Sequence, residues 1–196
     1  MNEIKAVIFD LNGVFVKSLP LSERLAVKTG RSIGEILSVM KPILKEVRNV
    51  ERRGNEVWQP LLDLLGMSFE EFFDFYQNGE SVDFGMIEFA KSLKKRGLLL
   101  FFLSNNFRER TGYYQANFPE LFEIVDKAYF SWETGFVKPS KEAYQNLLDE
   151  NILKGEECLY IDDSQENLVV AATLGIVGIK YESTEQVVGE VKRILE

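Results

Sequence analysis

Short unbroken apolar runs alternate along this chain with longer stretches of helical spacing. The runs at residues 5–10 (KAVIFD), 98–104 (LLLFFLS), 158–162 (CLYID) and 176–180 (IVGIK) are bounded by polar or turn residues, which predicts buried strands. A shorter run at 127–130 (KAYF) predicts a weaker one. Between them, helical patterns cover 86–96, 140–151, 165–174 and 185–195. Gly97 and Gly175 stand where left-handed C-caps are expected, and Pro139 precedes the second helix. Strands alternating with helices predict an α/β fold: a parallel sheet covered on both faces and joined by right-handed crossovers.

One stretch breaks the rhythm. From residue 17 to 83 no strand pattern appears, only amphipathic helical segments at 21–29, 32–40, 43–52, 57–65 and 68–76. Gly30, Pro42, Gly54, Gly66 and Gly79 punctuate them. This block reads as a small all-helical domain inserted into the α/β core. Its most apolar part, Phe69, Phe72, Phe73, Phe75 and Tyr76, covers most of one helix face and reads as the core of that domain.

Composition narrows the chemistry. The chain has 196 residues, 45% apolar and 28% charged, as an ordinary globular protein does. No apolar run approaches the ~20 residues of a membrane span, and no signal-peptide pattern precedes the first strand, so a cytoplasmic location is expected. The single Cys158 fits a reducing compartment. A net charge of −8 argues against nucleic acid as a partner. The basic trio Lys94-Lys95-Arg96 reads as a helix end, where cations complement the macrodipole. There is no histidine, which removes His-based triads, His-ligated zinc and a His general acid together.

In an open parallel sheet, ligands bind beyond the carboxyl ends of the strands. Those ends carry Asp10, then Ser104-Asn105-Asn106, then Asp162-Asp163. Carboxylates converging at one edge repel unless a cation sits among them. Oxygen ligands of this kind suit Mg²⁺, and Lys138, in the loop before a helix, is the natural partner cation.

These residues resemble the haloacid dehalogenase superfamily over essentially the whole chain. Four motif regions stand in order: Phe9-Asp10-Leu11-Asn12-Gly13-Val14, Leu103-Ser104-Asn105, Lys138-Pro139, and Tyr160-Ile161-Asp162-Asp163-Ser164 followed by Asn167. The resemblance implies a Rossmann-like core at residues 1–16 and 84–196 and a helical cap at 17–83. It implies that Asp10 attacks phosphorus, forming an aspartyl-phosphate that water hydrolyses. Mg²⁺ would lie between the Asp10 side chain, the main-chain carbonyl of Asn12 and Asp163, with Asp162 nearby through water. Ser104 and the amide of Asn105 would hold phosphate oxygens, and Lys138 would neutralise Asp10 and the phosphoryl group. The plainer readings are a helix cap for Ser104 and a solvated loop cation for Lys138.

One position departs from the pattern. Phosphatases of this family usually carry a second Asp two residues after the nucleophile, as acid and base. Here that position is Asn12, which can donate a hydrogen bond but not a proton. Three readings compete: a phosphatase for substrates with good leaving groups, a metal-free dehalogenase, and a binding protein with little turnover. The acidic pair Asp162-Asp163 favours the phosphate branch. A closing cap implies a small phosphorylated metabolite, with hinges at residues 13–16 and 79–85. Lys17, Arg48, Arg52 and Arg53 are candidates to contact an anionic substrate. Residues 117–122 (NFPELF) and Tyr129-Phe130-Ser131 are similar to a sub-branch with bacterial sugar-phosphate phosphatases and the phosphatase domain of epoxide hydrolases. That makes a hexose phosphate the first guess.

Overall fold

A computed structural model describes residues 3–50 and 54–196. The first strand, β1 (Ala6–Phe9), leads through a turn to β2 (Val16–Ser18). Helices α1 (Leu21–Thr29), α2 (Ile33–Val47), α3 (Gln59–Leu65) and α4 (Phe69–Gln77) follow, with a 3₁₀ turn at Asn55–Trp58 before α3. The chain returns through β3 (Glu80–Val82) to α5 (Phe84–Lys95) and β4 (Leu99–Ser104). Next come α6 (Arg108–Asn117), α7 (Glu120–Glu123), β5 (Lys127–Phe130) and α8 (Ser131–Thr134). The last part holds α9 (Lys141–Glu150), β6 (Cys158–Asp162), α10 (Gln165–Ala172), β7 (Val177–Lys180) and α11 (Thr184–Leu195).

The main sheet has the order β5-β4-β1-β6-β7, and every pairing in it is parallel. The β1 residues alternate between its faces, as strand geometry requires. Val7 and Phe9 pack with Met86, Ala90 and Leu93 of α5 and Val187 and Val191 of α11. Ala6 and Ile8 pack with Ala143 and Leu147 of α9 and Leu168 and Ala171 of α10. Burying side chains of this size is worth roughly 1.5–3 kcal/mol each. The α/β reading of the sequence therefore holds, including the weaker strand at 127–130.

The region between β2 and β3 has its own apolar core, built on Leu25, Ile36, Met40, Val47, Trp58, Leu61, Phe72, Phe73 and Tyr76. Phe72, Phe73 and Tyr76 are buried there, as the helix-face reading expected. Phe107, just after β4, joins that core and stacks on Tyr76 with ring centroids 5.9 Å apart.

Two expectations for this stretch fail. No strand was expected between residues 17 and 83, yet Val16–Ser18 pairs antiparallel with Glu80–Val82. Strands this short carry no periodicity, so only their mutual pairing defines them. Pro42 was expected to break a helix, but α2 runs through it. The buried stripe Ile36, Met40, Ile43 and Val47 continues across Pro42, and Ser38, whose carbonyl loses its partner, lies exposed to water. Predicted helix ends otherwise move by one or two residues. The 43–52 segment stops at Val47, with residues 51–53 outside the described residues. Helices α6, α7 and α8 were not anticipated.

Candidate active site

The carboxyl ends of β1, β4 and β6 meet at one edge of the sheet, because β1 lies between the other two. Each delivers a polar residue at the point where pairing ends. Asp10 follows β1 and is buried; its Oδ1 accepts from the amide of Leu11 at 2.7 Å and lies 3.2 Å from Lys138 Nζ. Burial raises the Asp10 carboxyl above its ordinary range, and Lys138 opposes that rise. Ligand oxygens of Asp10, Asp162 and Asp163 all lie within 4.8 Å of one another.

Asp162 and Asp163 behave differently. Asp162 is fully buried and its oxygens are crowded with donors. Oδ1 accepts from the amide of Ser164 (2.7 Å) and from Asn167 Nδ2 (3.1 Å). Oδ2 accepts from Lys138 Nζ (2.8 Å), Asn167 Nδ2 (2.9 Å) and the Tyr160 hydroxyl. The lone pairs of Asp162 are thus taken up by Ser164, Asn167, Tyr160 and Lys138. Asp163 is exposed, with its carboxylate directly over Gly13. A Cβ on residue 13 would stand 2.3 Å from Asp163 Oδ2, and Gly13 has φ of +91°. Although the residue is exposed, partial desolvation of its carboxylate in the cluster and the Asp162 charge raise the Asp163 carboxyl as well.

Lys138 is buried, not a solvated loop cation. Asn105 fixes its loop: Oδ1 accepts from the Lys138 amide (2.8 Å) and Nδ2 donates to the Lys138 carbonyl (2.7 Å). Both polar atoms of the Asn105 side chain are thus engaged by the Lys138 backbone. Ser104 is buried at the end of β4, and its Oγ lies 3.1 Å from Asn12 Nδ2. It caps no helix, since Phe107 occupies the N-cap of α6.

Residues sequence reasoning did not single out surround Asn12. The Tyr114 hydroxyl lies 3.3 Å from Asn12 Oδ1 and donates to Glu80 Oε2 at 2.6 Å. Glu80 forms an ion pair with Arg110, and both side chains are nearly inaccessible. These residues come from β3 and α6, so no spacing in the sequence links them. Helix α6 has no apolar stripe, so periodicity gave no signal there either.

The four cationic candidates separate. Lys17 donates to the Gly13 carbonyl and lies 3.5 Å from the centre of the Tyr181 ring. Burial lowers its ammonium to about 8. Arg48 ends α2 in a cleft lined by Lys41, Leu44, Lys45, Asn49 and Val137, beside Lys138 in the chain. Its buried Nε meets no hydrogen-bond acceptor among the described residues. Burial lowers the Arg48 guanidinium, and the Asp10 charge acts against that shift. Arg52 and Arg53 lie outside the described residues.

This donor set fits a hard divalent cation. The candidate ligands are carboxylate oxygens of Asp10, Asp162 and Asp163, with Lys138 paired to Asp10 and Asp162 beside them. A model of haloacid dehalogenase-like hydrolases matches residues 4–175. The chain belongs to that family.

Among other hydrolases of this family and their relatives, the bifunctional epoxide hydrolase 2 of Rattus norvegicus is 26% identical over 130 residues, 65% of this chain and 24% of that protein. The chain thus spans about a quarter of that relative's length. A sesquiterpene phosphatase of Aspergillus oryzae is 22% identical over 183 residues, 89% of this chain and 88% of that protein. A HAD family enzyme of Bacteroides thetaiotaomicron, solved in complex with magnesium and inorganic phosphate, superposes with a TM-score of 0.80 at 20% identity. The match covers 91% of this chain and 94% of that one, which is a likeness of fold. No helix among the described residues is long and apolar enough to cross a membrane.

Proposed function

We propose that this hydrolase removes the phosphoryl group from a small phosphomonoester, with Asp10 as nucleophile and Mg²⁺ as cofactor. The single observation that carries this reading is the division of labour among the carboxylates. Asp10 faces the cluster with one oxygen restrained, Asp163 is accessible, and Asp162 is committed to Lys138. Asp10, Asp163 and the main-chain carbonyl of Asn12 would hold Mg²⁺, with Asp162 behind them. Mg²⁺ would supply Lewis-acid stabilisation of the transferring group.

In this reading an Asp10 oxygen forms a bond to phosphorus as the bond to the leaving oxygen breaks. Lys138 offsets negative charge on Asp10 and on the phosphoryl oxygens, and Ser104 and the Asn105 amide orient those oxygens. Asn12 donates a hydrogen bond to the leaving oxygen, which takes its proton from water. Water then attacks phosphorus, and Asp10 departs as a carboxylate. General acid–base help is typically worth about a hundred- to ten-thousand-fold, so substrates with good leaving groups are favoured. The helices between β2 and β3 act as a cap, with Arg48 contributing to substrate binding. A sugar phosphate remains the first candidate class.

A second reading, a binding protein with little turnover, is favoured by Asn12 itself. Phosphate release from p-nitrophenyl phosphate and a panel of sugar and acyl phosphates, with Mg²⁺ or EDTA, separates the two. Mg²⁺-dependent release supports the hydrolase. Tight binding without release supports the second reading, and halide release from 2-haloacids without metal would replace both.

A further inference from the structure

We propose that Tyr114 and Glu80 are positioning residues for Asn12, and that the Glu80–Arg110 pair is the reason position 12 carries an amide. The catalytic consequence rests on the phosphatase reading; the hydrogen-bond geometry does not.

Tyr114 has one hydroxyl proton and two oxygen neighbours, Glu80 Oε2 at 2.6 Å and Asn12 Oδ1 at 3.3 Å. Glu80 is the ion-pair partner of Arg110, and a carboxylate only accepts. The proton goes to Glu80 over the shorter distance. Tyr114 Oη then faces residue 12 with lone pairs, so residue 12 must be a donor. Turning the Asn12 amide end for end provides one, since its oxygen and nitrogen are nearly isosteric and the hydrogen-bond network decides between them. Asn12 Nδ2 then donates to Tyr114, and Asn12 Oδ1 accepts from Ser104, whose hydroxyl serves in either direction.

In the substrate-free site the result is a directed chain, Ser104 to Asn12, Asn12 to Tyr114, Tyr114 to Glu80, with Arg110 paired to Glu80 at its end; a phosphate oxygen that takes the Ser104 proton leaves the links from Asn12 to Glu80 as they are. The second N–H of Asn12 remains for a substrate oxygen. An ionised carboxylate at position 12 would set acceptor against acceptor in a buried network, where an unpaired group is costly. Glu80 belongs to β3, so the residue that governs Asn12 comes from the antiparallel ribbon and not from the loops around Asp10. Arg110 and Tyr114, one turn apart on α6, fasten that ribbon to the core.

The test is a cycle of wild type, Asn12→Asp, Glu80→Gln and the double variant, assayed on p-nitrophenyl phosphate with Mg²⁺ and by thermal melting. A glutamine at position 80 can donate to Tyr114, freeing the phenol proton for a carboxylate at position 12. Adding Glu80→Gln is expected to raise kcat of the Asn12→Asp variant at least about fivefold with KM nearly unchanged, while Glu80→Gln alone does not raise that of the wild type, a coupling typical of residues in one network. The same cycle in a Tyr114→Phe background should become additive. If Asn12→Asp changes kcat and melting temperature by the same amount with either residue at position 80, the proposal is wrong. If the wild type releases no phosphate, the phosphatase reading has failed. Non-additive melting temperatures would then still support the positioning network, and additive ones would overturn it.

Discussion

Gly13 and Asp163 lie so close that any side chain on residue 13 would collide with the Asp163 carboxylate: a Cβ would stand 2.3 Å from Oδ2. Gly13 also has φ of +91°, a conformation that L side chains rarely adopt. Gly13→Ala should therefore displace Asp163 while leaving Asp10 and Lys138 in place. The Mg²⁺ concentration for half-maximal activity should rise at least about tenfold, the scale of a disturbed ligand. Titration of activity against Mg²⁺ checks this; an unchanged midpoint would mean that Asp163 does not hold the ion.

Lys138 lies between two buried carboxylates, 2.8 Å from Asp162 and 3.2 Å from Asp10. Removing one partner of a buried ion pair typically costs about 3–5 kcal/mol, because the other charge is left uncompensated. Lys138→Met should accordingly destabilise the metal-free protein by that order in urea unfolding, and Mg²⁺ should recover part of the loss. A variant as stable as wild type without metal would contradict the role given to this lysine.

Much of this arrangement was legible in the sequence, for a physical reason. Strands buried on both faces must be almost wholly apolar, so the runs ending at Phe9, Ser104 and Asp162 stood out, and with them Asp10 and the acidic pair. The residues themselves did not distinguish Asp162 from Asp163; only the family resemblance gave them different roles. The distinction depends on Tyr160, Asn167 and Lys138 converging on one carboxylate from three elements. The ribbon of β2 and β3 escaped notice because three residues per strand carry no period. Glu80, Arg110 and Tyr114 escaped for a related reason. They sit on a short strand and on a helix without an apolar stripe, and only the folded chain brings them to Asn12.

Metal removal should show a pH dependence with a definite sign. Burial and neighbouring carboxylates raise both Asp10 and Asp163 above their unfolded values. Groups raised in this way contribute stability below the unfolded pKa and lose it as pH climbs through the folded pKa. The metal-free protein therefore bears the repulsion near neutrality, where Mg²⁺ relieves it, and less so in acid, where protons compete with the ion. The rise in melting temperature on adding Mg²⁺ should be larger near about pH 7.5 than near about pH 5. Equal shifts at both would contradict binding at these carboxylates.

Arg48 has a buried Nε without a hydrogen-bond acceptor among the described residues, in a cleft shared with Lys41 and Lys45. In the proposed function it binds substrate. Arg48→Ala should raise KM by about ten- to a hundredfold, the value of one charge-assisted hydrogen bond, with a smaller change in kcat. Steady-state kinetics on the best substrate of the panel checks this. A KM unchanged within error would remove Arg48 from the substrate site.

The central claim is that the phosphoryl group passes through Asp10, and rapid acid quenching during turnover of a labelled phosphomonoester with Mg²⁺ tests it most directly. The account predicts label bound covalently to wild-type protein, located on the peptide that contains Asp10, released by mild alkali and absent from Asp10→Asn. Phosphate release with no label on that peptide, or undiminished release by Asp10→Asn, would contradict it.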